Sequence, residues 1–434
     1  MLGRALGAAC AAAFVMTGCG PDRDILEASG ELEAALAESE RLGLPLTAAQ
    51  LSGKAPPDSE NAAAGLLAPL AKWAEDRKKA RIEDKPDEPR PNVVAKLDDP
   101  MLDFAAPLLM RPRWHIERDY LLGLSLLMPE LAELKQLSKS FVWRASERAK
   151  AGDVSGALTD LTSAQRLARL LSQEPSLIGG LVAVAAVSIV GRAALDISEG
   201  WKNDATALRR VALSMEKNSY DIDFSTGLRG EFYFGAHVSR NVHLYGGFDG
   251  LEASLNGDEG APPVPPRDAF TDTSIPKDVK QRALFARTLQ FWNSVFADSD
   301  TSLKGVSARL QREADRVESS QRPSEEAMAF VVPVFDMSGA AIARQHVMQD
   351  MRRATVLAAA FRAEEGRWPK DLAEIGVEIK NPVSGEPVGY AAQGARITLW
   401  TPRSGTKDKG AIFELETGAA GDDWRIVWPD PKRG

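Results

Sequence analysis

Leu177 to Val190 reads LIGGLVAVAAVSIV, a run without a single charge. A helix of this composition has no polar face to give to water, so it requires neighbours on every side. Fourteen residues rise about 21 Å as a helix, short of a hydrocarbon core of about 30 Å. Arg192 and Asp196 follow immediately. The run therefore reads as the central buried helix of a helical array, extending from Ser176 to Ser198. Gly179, Gly180, Ala183 and Ala186 allow its neighbours to approach closely.

Those neighbours are legible on either side, and the pattern is helical from Asp99 to about Asn218. Leu131, Leu134, Leu137, Phe141 and Ala145 mark one face of a helix from Pro129 to Lys150. Ala157, Leu158, Leu161, Ala164, Leu167, Ala168 and Leu171 follow the 3.6-residue period over Val154 to Gln173. Earlier helices are expected at Ile25 to Leu42 and Glu60 to Ala74. Glu75 to Pro91, dense in both charge signs and proline, reads as a solvated linker or helix end. Gly246 to Lys277 reads as a long irregular loop, and helices resume at Val279 to Ala297 and Ser302 to Ser320.

Asp336 to Glu365 is the longest expected helix. Val347, Met351, Ala354, Ala358 and Phe361 form its apolar stripe, and Gly366 closes it in a left-handed cap. Arg352, Arg353, Arg362 and Glu364 are expected to face away, with Arg352-Arg353 pairing beside Glu364-Glu365. Short β-branched or aromatic runs then follow at Val388–Ala391, Ala395–Thr401, Ala411–Glu416 and Trp424–Trp428. Trp368, Trp400, Trp424 and Trp428 supply side chains large enough to seal a small sheet against the long helix. The fold class is mostly α: a multi-helix array followed by a long helix packed on a small antiparallel β-sheet (α+β). Its segments are 1–18, 19–98, 99–335 with the loop at 246–277, and 336–434.

The N-terminus has a different character. Arg4 precedes an apolar stretch from Ala5 to Met16, then small residues, then Cys19, the order of a secretory leader. Met16-Thr17-Gly18-Cys19 resembles a bacterial lipobox. The resemblance implies cleavage after Gly18, a diacylglycerol thioether on Cys19 and acylation of the new N-terminus. Two or three acyl chains anchor a protein stably where one is marginal. With Cys10 removed and Cys19 lipidated, no thiol remains for catalysis, metal binding or a disulfide. Gly20 after Cys19 is not acidic, so the outer membrane is the expected address within the cell envelope.

Three further stretches resemble a family of exported bacterial proteins, often lipid-anchored, that has no assigned activity. They are Glu60-Asn61-Ala62-Ala63; Gly152-Asp153 through Glu174-Pro175-Ser176-Leu177-Ile178; and Gly366-Arg367-Trp368-Pro369 with Asn381 to Tyr390, NPVSGEPVGY. The last also resembles the globular end of type II secretion pseudopilins, where a long helix leads through a similar turn into a small sheet. Pilus assembly is not implied, because the corresponding helix here is amphipathic and deep in the chain. The hairpin Trp143 to Gln173 resembles half of a tetratricopeptide unit without a second copy.

Lys and Arg number 53 against 61 Asp and Glu, a net charge of −8 without a long basic run, which argues against nucleic acid as a partner. No G-x-S-x-G, S-x-x-K, G-x-x-x-x-G-K or G-x-G-x-x-G occurs, and no metal or cofactor is expected. Asp408, Asp422 and Asp423 read as solvated turn acids, although some pseudopilins bind calcium near their sheet. The expected function is a lipid-anchored envelope scaffold or interaction protein without enzymatic activity, with an envelope protein as its partner. The alternative is an envelope hydrolase with a dispersed site around Glu231, His237 and His243, three residues spaced by six.

Overall fold

The computed structural model describes residues 23–83, 97–219, 222–256, 258, 260–320, 322, 332–382, 384–402 and 423–429. The leader with Cys19, the expected strand Ala411–Glu416, and Asp408 and Asp422 lie outside them. Among the described residues the fold is mostly α with a three-stranded antiparallel sheet, the expected class.

In chain order the helices begin with α1 (Arg23–Gly30), α2 (Leu32–Arg41), α3 (Ala48–Ser52), α4 (Ala62–Glu83) and α5 (Pro100–Leu108). There follow α6 (Glu130–Lys150), α7 (Val154–Leu171), α8 (Leu177–Gly200), α9 (Ala205–Lys217) and α10 (Phe224–Asn241). The last are α11 (Phe248–Asn256), α12 (Val279–Phe296), α13 (Leu303–Glu318) and α14 (Val332–Glu365). The strands are β1 (Gly389–Gln393), β2 (Arg396–Pro402) and β3 (Asp423–Trp428). Two compact units divide the chain, one of residues 1–54, 117–127 and 228–336, the other of 55–116, 128–227 and 337–434. They interleave along the sequence instead of following one another as the expected segments do.

In the first unit α12 packs against α1, α2 and α13. Phe285, Phe291 and Trp292 are buried along it. Asn293 ties α12 to α2, accepting from Ser39 Oγ at 2.8 Å and donating to the Ala35 carbonyl at 2.9 Å.

In the second unit α6, α7 and α8 pack on one another, and α9 packs on α7 and α8. Local chemistry starts these helices where the sequence does. Asp153, Ser176 and Asp204 each accept the amide of the residue three further on, capping α7, α8 and α9. Asp160 of α7 lies fully buried between Arg144 and Arg148 of α6. By length and composition the 24-residue α8 could cross a membrane, being longer than its apolar run. Its contacts on α6, α7 and α9, and the burial of twelve of its residues, are those of a core helix.

The sheet has the order β1-β2-β3. Its register puts Ile397 opposite Trp428, Leu399 opposite Ile426 and Thr401 opposite Trp424. All six are buried, so one face of β2 and β3 is apolar at the two-residue period. Trp428 Nε1 donates to the Leu195 carbonyl of α8 at 3.4 Å, and Arg362 Nη1 of α14 to the Ala395 carbonyl at 2.8 Å.

Three local expectations are corrected and one is narrowed. Ile25 to Leu42 is two helices, broken at Glu31. Of the two readings of the charged stretch after Ala74, its first part is the helix end: α4 continues to Glu83, because Lys, Arg and Glu are good helix formers and Glu75 and Lys79 pair at i,i+4 (2.7 Å). The stretch between Leu108 and Glu130 is not α-helical: Gly123 turns it at φ 53°, inside a 3-10 segment from Tyr120 to Ser125. The expected loop at 246–277 contains α11, since FDGLEASLN carries its turn-forming glycines Gly246 and Gly247 ahead of the helix.

Candidate functional site

Within the second unit, side chains of α7, α8, α9 and α14 line a pocket. Gln165 comes from α7, Val190 and Gly191 from α8, Met215 from α9, and Arg352 and Arg353 from α14. The exposed residues Ser219 and Asp350 also border it.

The sequence places Arg352 on the outer side of its helix, and the structure buries it to 5% exposure. The reason is a second apolar stripe. Arg352, Thr355, Val356 and Ala359 recur at i, i+3, i+4 and i+7, and all four are buried. This helix is covered on more than the side marked by Val347, Met351, Ala354 and Ala358. Small residues at 355 and 359 were the available signal. On α8 the fit depends on Gly191: a Cβ there would stand 2.7 Å from both Cδ and Nη1 of Arg352. Ser188 Oγ donates to Gln345 Oε1 at 2.6 Å, joining the same two helices.

The pairing expected along α14 is not found. Arg353 bridges to Glu216 of α9 (2.8 Å), and Glu364 accepts from Arg209 Nε of α9 at 2.6 Å. Arg352 has no carboxylate partner among the described residues, and its Nη1 has no hydrogen-bond partner. Arg353 Nε and Gln165 Oε1 are likewise buried and unpartnered. Burial, followed by the like charges of Arg344 and Arg192, pulls the Arg352 pKa down to about 10. At neutral pH the guanidinium therefore remains protonated, a desolvated positive charge lining a pocket. The described lining contains no His, Cys or Lys, and its one carboxylate is Asp350.

Glu231, His237 and His243 do not form a site. Glu231 and His237 both lie on α10, where six residues separate them by about 120° around the axis. Glu231 is half-buried, His237 is buried and His243 is exposed. His243 sits in a 3-10 turn and accepts from Gln281 Nε2 at 2.9 Å. The His237 ring packs between Tyr233 and Phe270, with centroids at 5.7 and 5.5 Å. It fills the space above Gly123, where a Cβ would stand 2.6 Å from Nδ1. Burial, then the Arg240 charge, lowers its pKa to about 4, and Nε2 has no partner. It is a neutral core histidine.

Of the other histidines, His346 Nε2 accepts the Ile222 amide at 2.9 Å and His115 is half-buried. Asp423 opens β3. Among the described residues no group of three His, Cys, Asp or Glu side chains is placed to hold a metal. Compared with known proteins, the chain matches no family model, no curated protein and no solved structure.

Proposed function

We propose that this chain is a lipid-anchored protein of the bacterial cell envelope that acts by binding, without turning over a substrate. Met16-Thr17-Gly18-Cys19 supports the anchor, and the envelope partner is reached from a membrane surface to which Cys19 ties the helical body. The observation that carries the binding role is the Arg352 pocket. Asp160 is engaged by two arginines, and the buried Arg240 donates Nη1 to the backbone carbonyls of Leu46 and Asp272 while its Nε, like Arg352 Nη1, has no hydrogen-bond partner. Arg352 differs in lining a pocket, with neither a carboxylate nor a backbone carbonyl on its buried Nη1.

Crosslinking in intact cells, followed by purification from detergent-solubilised envelope, tests the reading against a Cys19→Ala variant. The expected result is a salt-resistant membrane protein with a stoichiometric partner, and loss of both in Cys19→Ala. A Cys19→Ala protein that stays on the membrane would overturn the anchor. A native protein without a stoichiometric partner would overturn the interaction role.

A further inference from the structure

A lone exposed leucine needs no explanation by itself, but the place of Leu26 gives it one. Leu26 is 51% exposed on α1, which begins at Arg23. The four peptide units from Cys19 to Arg23 reach at most about 14 Å, whatever path they take. The buried side of α1 is turned to α12, where Ile25 and Ala28 pack with Ala283. Its other side shows Arg23, Leu26, Glu27 and Gly30 to solvent. Free acids would hold such a side away from phospholipid headgroups, and here they are matched. Glu27 pairs with Arg23 at 2.7 Å, Asp24 and Glu31 with Arg287 at 3.4 and 2.9 Å, and Glu33 with Arg282 at 2.7 Å. Repulsion from an anionic leaflet is therefore small. A lipid on Cys19 makes contact with the leaflet intramolecular, so a shallow apolar contact is enough to set the orientation.

We infer that the exposed side of α1 rests on the phospholipid leaflet that holds Cys19, with Leu26 entering the interfacial layer. Arg23, whose side chain is 90% exposed, lies at the level of the phosphates. The contact is peripheral, because α1 gives its main apolar side to α12. The inference rests on the anchored-protein reading and adds to it the surface by which the first unit meets the membrane.

The test uses the full lipidated chain in vesicles of phosphatidylethanolamine and phosphatidylglycerol. Lipidation of Cys19 leaves the mature chain without another thiol, so Leu26→Cys, Gly30→Cys and Val264→Cys each take a single fluorophore. All three positions are exposed, and a Cβ at Gly30 meets nothing within 4 Å. Val264 is the reference. It lies in the loop after α11, whose Leu251 packs with Leu284, on a different side of α12 from Ala283. Each probe is quenched by a lipid with a nitroxide near the headgroup end of its chain and, separately, by aqueous iodide. The ratio of lipid to iodide quenching should be at least about threefold higher at 26 and 30 than at 264. Adding Leu26→Asp to the Gly30→Cys protein should bring its ratio down toward the reference. A ratio at 26 no higher than at 264, or no change with Leu26→Asp, would overturn the inference while leaving a diacylated N-terminal peptide, seen by mass spectrometry, to support the anchor. An N-terminal peptide without lipid would overturn the anchor, and the inference with it.

Discussion

Arg144 and Arg352 are both buried arginines on helices of the same unit, and they solve the problem of burial in opposite ways. Arg144 is 2% exposed and holds Asp160 with two bonds, Nε to Oδ2 at 2.9 Å and Nη2 to Oδ1 at 2.7 Å. Its Nη1 reaches Asp103 at 2.7 Å, and Arg148 adds a third bond to Asp160 at 2.9 Å. Every charge in that cluster is matched inside the protein, and its effect is to fix α6 against α7. Arg352 is buried nearly as deeply with no match. The closed network ties α6 to α7, whereas Arg352 lines a pocket without a carboxylate of its own.

The comparison breaks most sharply at Asp160. Asp160→Asn leaves Arg144 and Arg148 facing a neutral amide, and removing one partner of a buried pair costs about 3–5 kcal/mol. Chemical denaturation of the variant should show that loss, and a change below about 1 kcal/mol would mean the network is not closed as described.

His237 sharpens the contrast by illustrating a third solution, giving up the proton. Its folded pKa, held at about 4 first by burial, lies below the ordinary 6.5. The unfolded chain therefore takes up the proton first as pH falls. This contribution is complete above about pH 6.5 and is lost progressively down to about pH 4. It amounts to about 3 kcal/mol at 1.36 kcal/mol per unit. Stability measured from pH 7 to 4 should fall less steeply in His237→Gln than in the native chain. Parallel curves would contradict the neutral-core assignment.

The smallest effect belongs to the surface. Arg209 and Glu364 are well placed but largely exposed, with side chains 54% and 35% accessible. A double-mutant cycle on that pair should give less than about 1 kcal/mol, diminished by salt. A larger coupling would show that exposed pairs on α14 rival the buried network.

Much of this fold is written in local patterns. The α6–α7–α8 array follows from the spacing of Leu131, Leu134, Leu137 and Phe141, from Asp153 and Ser176 as caps, and from the apolar run that α8 must bury. Gly366, at φ 73°, ends α14 where expected, and alternation in β2 and β3 gives the sheet. The candidate site was not legible in the same way. A single apolar stripe assigns one buried face to a helix, whereas α14 is covered on two, and that coverage depends on Gly191 of α8, 161 positions before Arg352. Nothing local to Arg352-Arg353 shows that one is enclosed while its neighbour reaches Glu216. Spacing of six likewise groups Glu231, His237 and His243 on a strand, but the backbone there is helical and distributes them.

The most direct measurement is the stability of Arg352→Leu in a buffer free of carboxylates, set beside that of the native chain. An arginine buried without a carboxylate partner adds a desolvation cost to the fold and no ion-pair gain. Replacing it with an apolar side chain should leave stability unchanged or raise it by about 1–3 kcal/mol. A loss of about 3–5 kcal/mol, the size expected for Asp160→Asn, would show that the guanidinium is already satisfied within the protein.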